Sequence, residues 1–206
     1  MTSTTAVNAH LFQDPTLKLT YLKVRGFDSK SGARSGGIKD PVVVDLAPGL
    51  VLLRTYHDPR RFFGEWWFTP HEMKQVIDYF ARGEPAFAEG RPQGKGILQA
   101  TFAVRHEWGG NSPNHLGLVG AVRLTAPFKA FFGEGDSAPD ASQKTNLKPV
   151  QITDAVNRRR GVRQVFLPEA WNFQANYIVL EQGNSTDSDL IRMTKTYDVG
   201  PYPFES

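Results

Sequence analysis

Apolar residues along this chain come mostly in short runs of strand length, and one segment departs from that habit. From Met73 through Val76, Ile77 and Phe80 they recur at helical spacing, and Gly83 stops the run. The start is equally marked. Thr69 stands as N-cap, Pro70 takes the first helical position, and Glu72, three residues past the cap, completes a capping box. Just upstream, Glu65-Trp66-Trp67-Phe68 is too short for a helix and rich in strand formers, so it reads as an aromatic strand. Earlier still, Val51-Leu52-Leu53 runs without a break into Arg54, Tyr56 and His57, which puts a cation at the end of a core strand. Asp58-Pro59 and Gly64 supply the turns between the two strands.

The remaining pattern is read around that stretch. Residues 1–16 look like a loose N-terminal arm, and Leu17 to Val24 alternates as a strand would. Asp28 to Gly37 is loop by composition, Pro41 to Leu46 a short strand, and Pro48-Gly49 the turn that follows. Residues 84–96 read as loop, Ile97 to Arg105 as a strand, His106 to His115 as a polar and aromatic loop, and Gly117 to Leu124 as another strand. Thr125 to Gly135, with three phenylalanines beside glycines, fits either a short helix or a loop over a pocket. Asp136 to Lys148 reads as a mobile connection, and Gln151 to Arg160 as one or two helical turns. Strands are expected at Val162 to Leu167, Asn176 to Gln182 and Leu190 to Tyr197. One long helix among many strands, with no repeat and no βαβ alternation, predicts an α+β fold with a single domain over residues 17–206.

Composition removes several chemistries. With no cysteine there is no disulfide, no thiolate zinc site and no cysteine nucleophile, and a delivered toxin would tolerate the same composition. His10, His57, His71, His106 and His115 show no ligand spacing, so no metal site is expected. No GxSxG elbow, P-loop or dinucleotide fingerprint occurs. No stretch approaches the ~20 apolar residues of a membrane span, and the first residues show neither the basic nor the apolar region of a secretory signal. The expectation is a cytoplasmic protein, or one delivered into a target cell without a visible signal. A formal charge of +3 does not announce a nucleic-acid binder. The cluster Arg158, Arg159, Arg160 and Arg163, and the pair Arg60 and Arg61, read either as solvated surface or as contacts for phosphate.

The order of a strand-borne arginine, an aromatic strand ending in a hydroxyl residue, and a later strand ending in QVFLPEAW resembles the ADP-ribosyltransferase family, its toxin-like members above all. The elements that carry the likeness are LLRTYH with Arg54, GEWWFTP with Trp66 to Thr69, and VRQVFLPEAWNFQANYIV around Gln164. The resemblance implies split β-sheets with few helices and NAD held as a substrate in the cleft between them. It implies that Arg54 grips the NAD phosphates or neighbouring ribose through its planar fork of donors. Trp66 and Phe68, on one side of their strand, would stack nicotinamide, with Tyr56, His57 and Thr69 beside them. The family's catalytic glutamate, which stabilises the cation-like ribose, falls by register at Gln164. Glutamine holds a hydroxyl but brings no charge. Glu169 beyond Pro168, or Glu65 or Glu107, would then supply the carboxylate, or the enzyme works slowly without one, or only binding remains.

The implied function is transfer of ADP-ribose to a macromolecular acceptor, protein or nucleic acid, or hydrolysis of NAD. A toxin or effector of this kind has an inhibitor or immunity protein as a partner. Two other readings stand beside it. One is a non-enzymatic nucleic-acid-binding domain using Arg158 to Arg163 together with exposed aromatics. The other is an inhibitor or interaction protein with neither activity.

Overall fold

The computed structural model describes residues 5–26, 37–56, 58–82, 118–136, 138–140, 145–147, 151–153, 156, 158–184 and 187–205. In chain order its elements are α1 (Thr16–Val24), β1 (Gly37–Ile38), β2 (Val42–Leu46), β3 (Val51–Tyr56), β4 (Trp66–Trp67), α2 (Pro70–Ala81), β5 (Leu118–Leu124), β6 (Phe128–Asp136), β7 (Ala138–Asp140), β8 (Thr145–Leu147), β9 (Gln151–Thr153), β10 (Arg159–Gly161), β11 (Arg163–Phe166), β12 (Tyr177–Asn184) and α3 (Asp187–Tyr197). All strand pairs are antiparallel. In the first sheet β6 has β11 and then β4 on one side, and β1 and β2 on the other. In the second, β5 lies between β3 and β12. An isolated bridge joins the two sheets, where Leu53 and Phe68 exchange main-chain hydrogen bonds of 2.9 and 3.0 Å. β7 pairs with β8 and β9 with β10 as separate ribbons. The α+β architecture with small antiparallel sheets is the one the sequence predicts.

Three buried clusters follow from strand alternation. Leu52, Tyr56, Trp67, Phe128, Phe132 and Val165 belong to the largest, which draws on both sheets. Leu53, Phe68, Met73, Val76, Leu190 and Met193 build the second, beneath α2 and α3. Val24, Ile38, Phe131 and Phe166 build the third beneath α1. Each such side chain contributes ~1.5–3 kcal/mol through burial, which is what fixes strand register here.

Several expectations are corrected. Residues 17–24 are helical. Their alternation also places Leu17, Tyr21 and Val24 at i, i+4 and i+7, and packing of Val24 into the third cluster and of the Tyr21 ring against Phe131 favours that spacing. Leu190 to Tyr197 is likewise helix, with Leu190, Met193 and Tyr197 turned to the second cluster. Thr125 to Gly135 is neither helix nor loop but most of β6, whose phenylalanines are buried on both faces and so show no polar alternation. Gln151 to Arg160 forms the β9–β10 ribbon, and β7 and β8 lie within the segment read as a connection. The arm does not hang free from residue 5 onward. Asn8 is fully buried, and its side chain bonds the C=O and N–H of Lys129 at 2.7 and 2.8 Å. The strand expected at 97–105, the loops on either side of it and the side chain of His57 lie outside the described residues.

Candidate functional site

Arg54 is organised by its own strand. Leu52 and Tyr56, two positions away on either side, point into the largest cluster, so alternation sends Arg54 the same way, toward Trp67. Next to the Leu53–Phe68 bridge, Arg54 Nη1 donates to the carbonyl of Trp66 at 2.6 Å. A strand carbonyl lies in the plane of its sheet, so this bond places the guanidinium in the notch between the two sheets. The cation stands 5.6 Å from the centre of the Trp67 ring. On the other side it lies against Gly64, where a Cβ would fall 2.0 Å from Nη2, so the absence of a side chain there makes room for it.

The electrostatics of this group are unusual. Arg54 has no ion-pair partner among the described residues, and its Nε is buried without an acceptor. Burial lowers its pKa well below the ordinary value, to about 10, with the charge of Glu65 and the Tyr56 phenol acting in the opposite direction. Five donors are available on a guanidinium, and among the described residues one of them finds an acceptor. The Tyr56 hydroxyl is engaged elsewhere, accepting from the N–H of Gly183 at 2.7 Å.

Gln164 lies on β11, the strand next to β4, with Val165 opposite Trp67 and Phe166 opposite Trp66. Val165 faces the largest cluster, so Gln164 is turned to the other face, shared with Phe166, Trp66 and Phe68. It is 8% exposed, and its amide makes no hydrogen bond among the described residues. Arg54, the aromatic strand and Gln164 therefore sit on three neighbouring strands. The side chains of Arg54 and Gln164 leave those strands on different faces. Trp66 meets Phe166 edge-on at 4.8 Å, and Phe68 is in the core at 3% exposed. For Phe68 the structure thus provides packing under α2 rather than an open ring.

The other candidates are held by the fold. Thr69 is buried, its hydroxyl accepts from the N–H of Glu72 at 3.1 Å as the cap requires, and its proton goes to Glu205. The Glu72 carboxylate does not reach back to complete the capping box. It is taken instead by Arg160, through Nη1 at 2.6 Å and Nη2 at 2.8 Å, and by Arg163, through Nε at 3.1 Å and the main-chain N–H at 2.8 Å. Arg163 also donates to the main-chain oxygen of Glu205. Arg160 and Arg163 are thus interior residues, which takes two arginines from the patch that would have met nucleic acid. Glu65 accepts from Lys23 Nζ at 2.7 Å and from the N–H of Glu169 at 3.0 Å, fastening the loop after Pro168 to β4. Glu169 itself adopts a left-handed backbone at φ 52° and accepts from Asn172 at 2.9 Å. Neither carboxylate makes a hydrogen bond or ion pair with Arg54 or Gln164.

A groove of about 630 Å³ lies elsewhere, lined by Leu50, Val51, Arg123, Tyr197, Tyr202 and Phe204 among others, and includes none of Arg54, Trp66 and Gln164. No group of histidine and acidic side chains that could hold a metal occurs among the described residues. Nor is any helix among them long and apolar enough to cross a membrane.

No protein-family model matches the chain, and no curated protein matches it. Among solved structures it is similar to Rhs1-CT in complex with cognate immunity protein RhsI1, at 11% sequence identity over 77% of this chain and 88% of that chain, with a TM-score of 0.41.

Proposed function

We propose that the protein splits NAD between nicotinamide and ribose, as an ADP-ribosyltransferase-like enzyme. The observation that carries this reading is the Arg54 guanidinium: a half-buried cation where the two sheets meet, with no carboxylate partner among the described residues and donors left for an anion. A pyrophosphate is the anion that the resemblance assigns to it. The neighbouring strands support the reading, since the three segments that resemble the family's motifs are brought side by side by β3, β4 and β11. Gln164 stands where the resemblance puts the family's glutamate, but its side chain leaves on the face opposite Arg54, and being neutral it brings no negative charge for the developing cation. A neutral group at that place cannot take a proton from an acceptor. That favours water as the acceptor, because water attacks a cation-like sugar without being deprotonated first.

Nicotinamide release from NAD by the purified chain tests the proposal, with and without protein or nucleic acid added as acceptor. Release is expected in both cases. Arg54→Lys keeps the charge but loses the fork, and with Gln164→Ala it should slow release by a factor on the order of 10². No release under any condition removes the enzymatic reading.

A further inference from the structure

We infer that the outer edge of β2 is an interface with a second copy of this chain. The direction of its main-chain groups can be worked out from Asn8. That side chain occupies the N–H and C=O of Lys129, which must therefore point away from β2. Asp45, opposite Lys129, is then a non-hydrogen-bonded position of the β2–β6 ladder. Alternation turns the main-chain groups of Val42, Val44 and Leu46 toward β6 and those of Val43 and Asp45 outward. Among the described residues nothing bonds these outward groups. The strand that presents them is apolar, with Val42 55% and Val43 47% exposed. An apolar edge with free donors and acceptors is a template for another strand.

A second copy fits this edge because the sequence VVVDL is self-complementary in antiparallel register about Val44. Val43 of each chain then faces Asp45 of the other, and these are the two residues whose main-chain groups point outward, so each facing pair exchanges two hydrogen bonds. Val44 meets Val44 at the two-fold axis. No acidic residue faces another, and each Asp45 charge is already balanced by Lys129 Nζ at 2.8 Å within its own chain. A contact built on one short strand stays below the ~1,000 Å² of a stable interface, so the association is transient and appears only at high concentration.

Sedimentation velocity of the full chain from about 5 to about 300 µM, joined with amide exchange, tests this in the weak-association range. The expected result is a rise in mean sedimentation coefficient toward the dimer, with the Val43 and Asp45 amides slowing as concentration rises while Val44 stays protected throughout. Val43→Pro removes only an outward N–H, leaves the β2–β6 bonds intact and should raise the half-association concentration at least tenfold. Val43→Lys should do the same through charge, and Val179→Lys on β12 should leave association unchanged. A chain that stays monomeric at the highest concentration, or a dimer indifferent to both Val43 variants, overturns the proposal. The first outcome leaves the edge to a strand of a different protein.

Discussion

Two regions of this molecule set guanidinium groups against the core, one pair buried and one half-buried, and they do so in opposite ways. Beneath the start of α2, Arg160 and Arg163 close on one carboxylate, Glu72, which is 1% exposed and bonded by both side chains and by a main-chain N–H. Where the two sheets meet, Arg54 has one carbonyl for a partner and no carboxylate among the described residues. In the first region every charge of Glu72 is answered by the fold, and the cluster joins α2 to the strand beside Gln164. In the second the fold leaves an answer missing. Burial lowers the Arg54 pKa to about 10, so in the empty protein the charged form bears an uncompensated desolvation cost. A cost of that kind persists where an anionic ligand removes it on binding, which is why the unpaired arginine, and not the paired ones, marks the candidate site.

The largest effect expected from breaking this contrast lies in the paired cluster. Glu72→Gln preserves shape but leaves two buried cations without their counter-charge, and the fold should lose ~3–5 kcal/mol. Urea denaturation measures it. A loss under ~1 kcal/mol would mean that water reaches the cluster and that the two regions are not different in kind.

Arg54→Met should move stability the other way. It removes the unpaired cation, forfeits one hydrogen bond of ~1 kcal/mol to the Trp66 carbonyl, and leaves a net gain of ~1–2 kcal/mol. Nicotinamide release should vanish in the same variant. The sign of the stability change separates a binding arginine from a structural one: a protein destabilised by Arg54→Met uses the residue as cement, as it uses Arg160 and Arg163.

How much of this was legible in the sequence depends on the range over which the signal acts. The helix from Pro70 and its Thr69 cap were readable because spacing and cap lie within one turn. β3, β4 and β11 were readable as strands, and their order along the chain suggested that Arg54, Trp66 and Gln164 would come together. The inner face of β6 was not, since a strand buried on both sides carries no alternation. α1 and α3 were misread because short amphipathic segments satisfy both periods until a packing partner decides between them. The arginine run at 158–163 looked like surface because the carboxylate that draws Arg160 inward lies 88 positions away. For the same reason nothing local revealed that Arg54 lacks a partner, or that Thr69 and Glu65 are already bonded across the fold.

The smallest effect tests whether the paired region extends to the chain's C-terminal turn. Burial raises the pKa of the Glu205 carboxyl above its ordinary value, with nearby Glu72 adding to the rise, while the Thr69 hydroxyl, the Tyr202 N–H and His71 act against it. A carboxyl whose pKa is raised by folding holds its proton more tightly in the folded state. Its contribution to stability is therefore complete below the unfolded pKa and disappears as pH rises through the folded one. Glu205→Gln cannot titrate and keeps an acceptor for Thr69. The wild-type protein should hold its best position relative to the variant near pH 4 and lose it toward pH 7.5. Urea midpoints of the pair across that interval give the difference directly. A difference that stays constant with pH would place the Glu205 carboxyl in contact with water and end the paired region at Arg163.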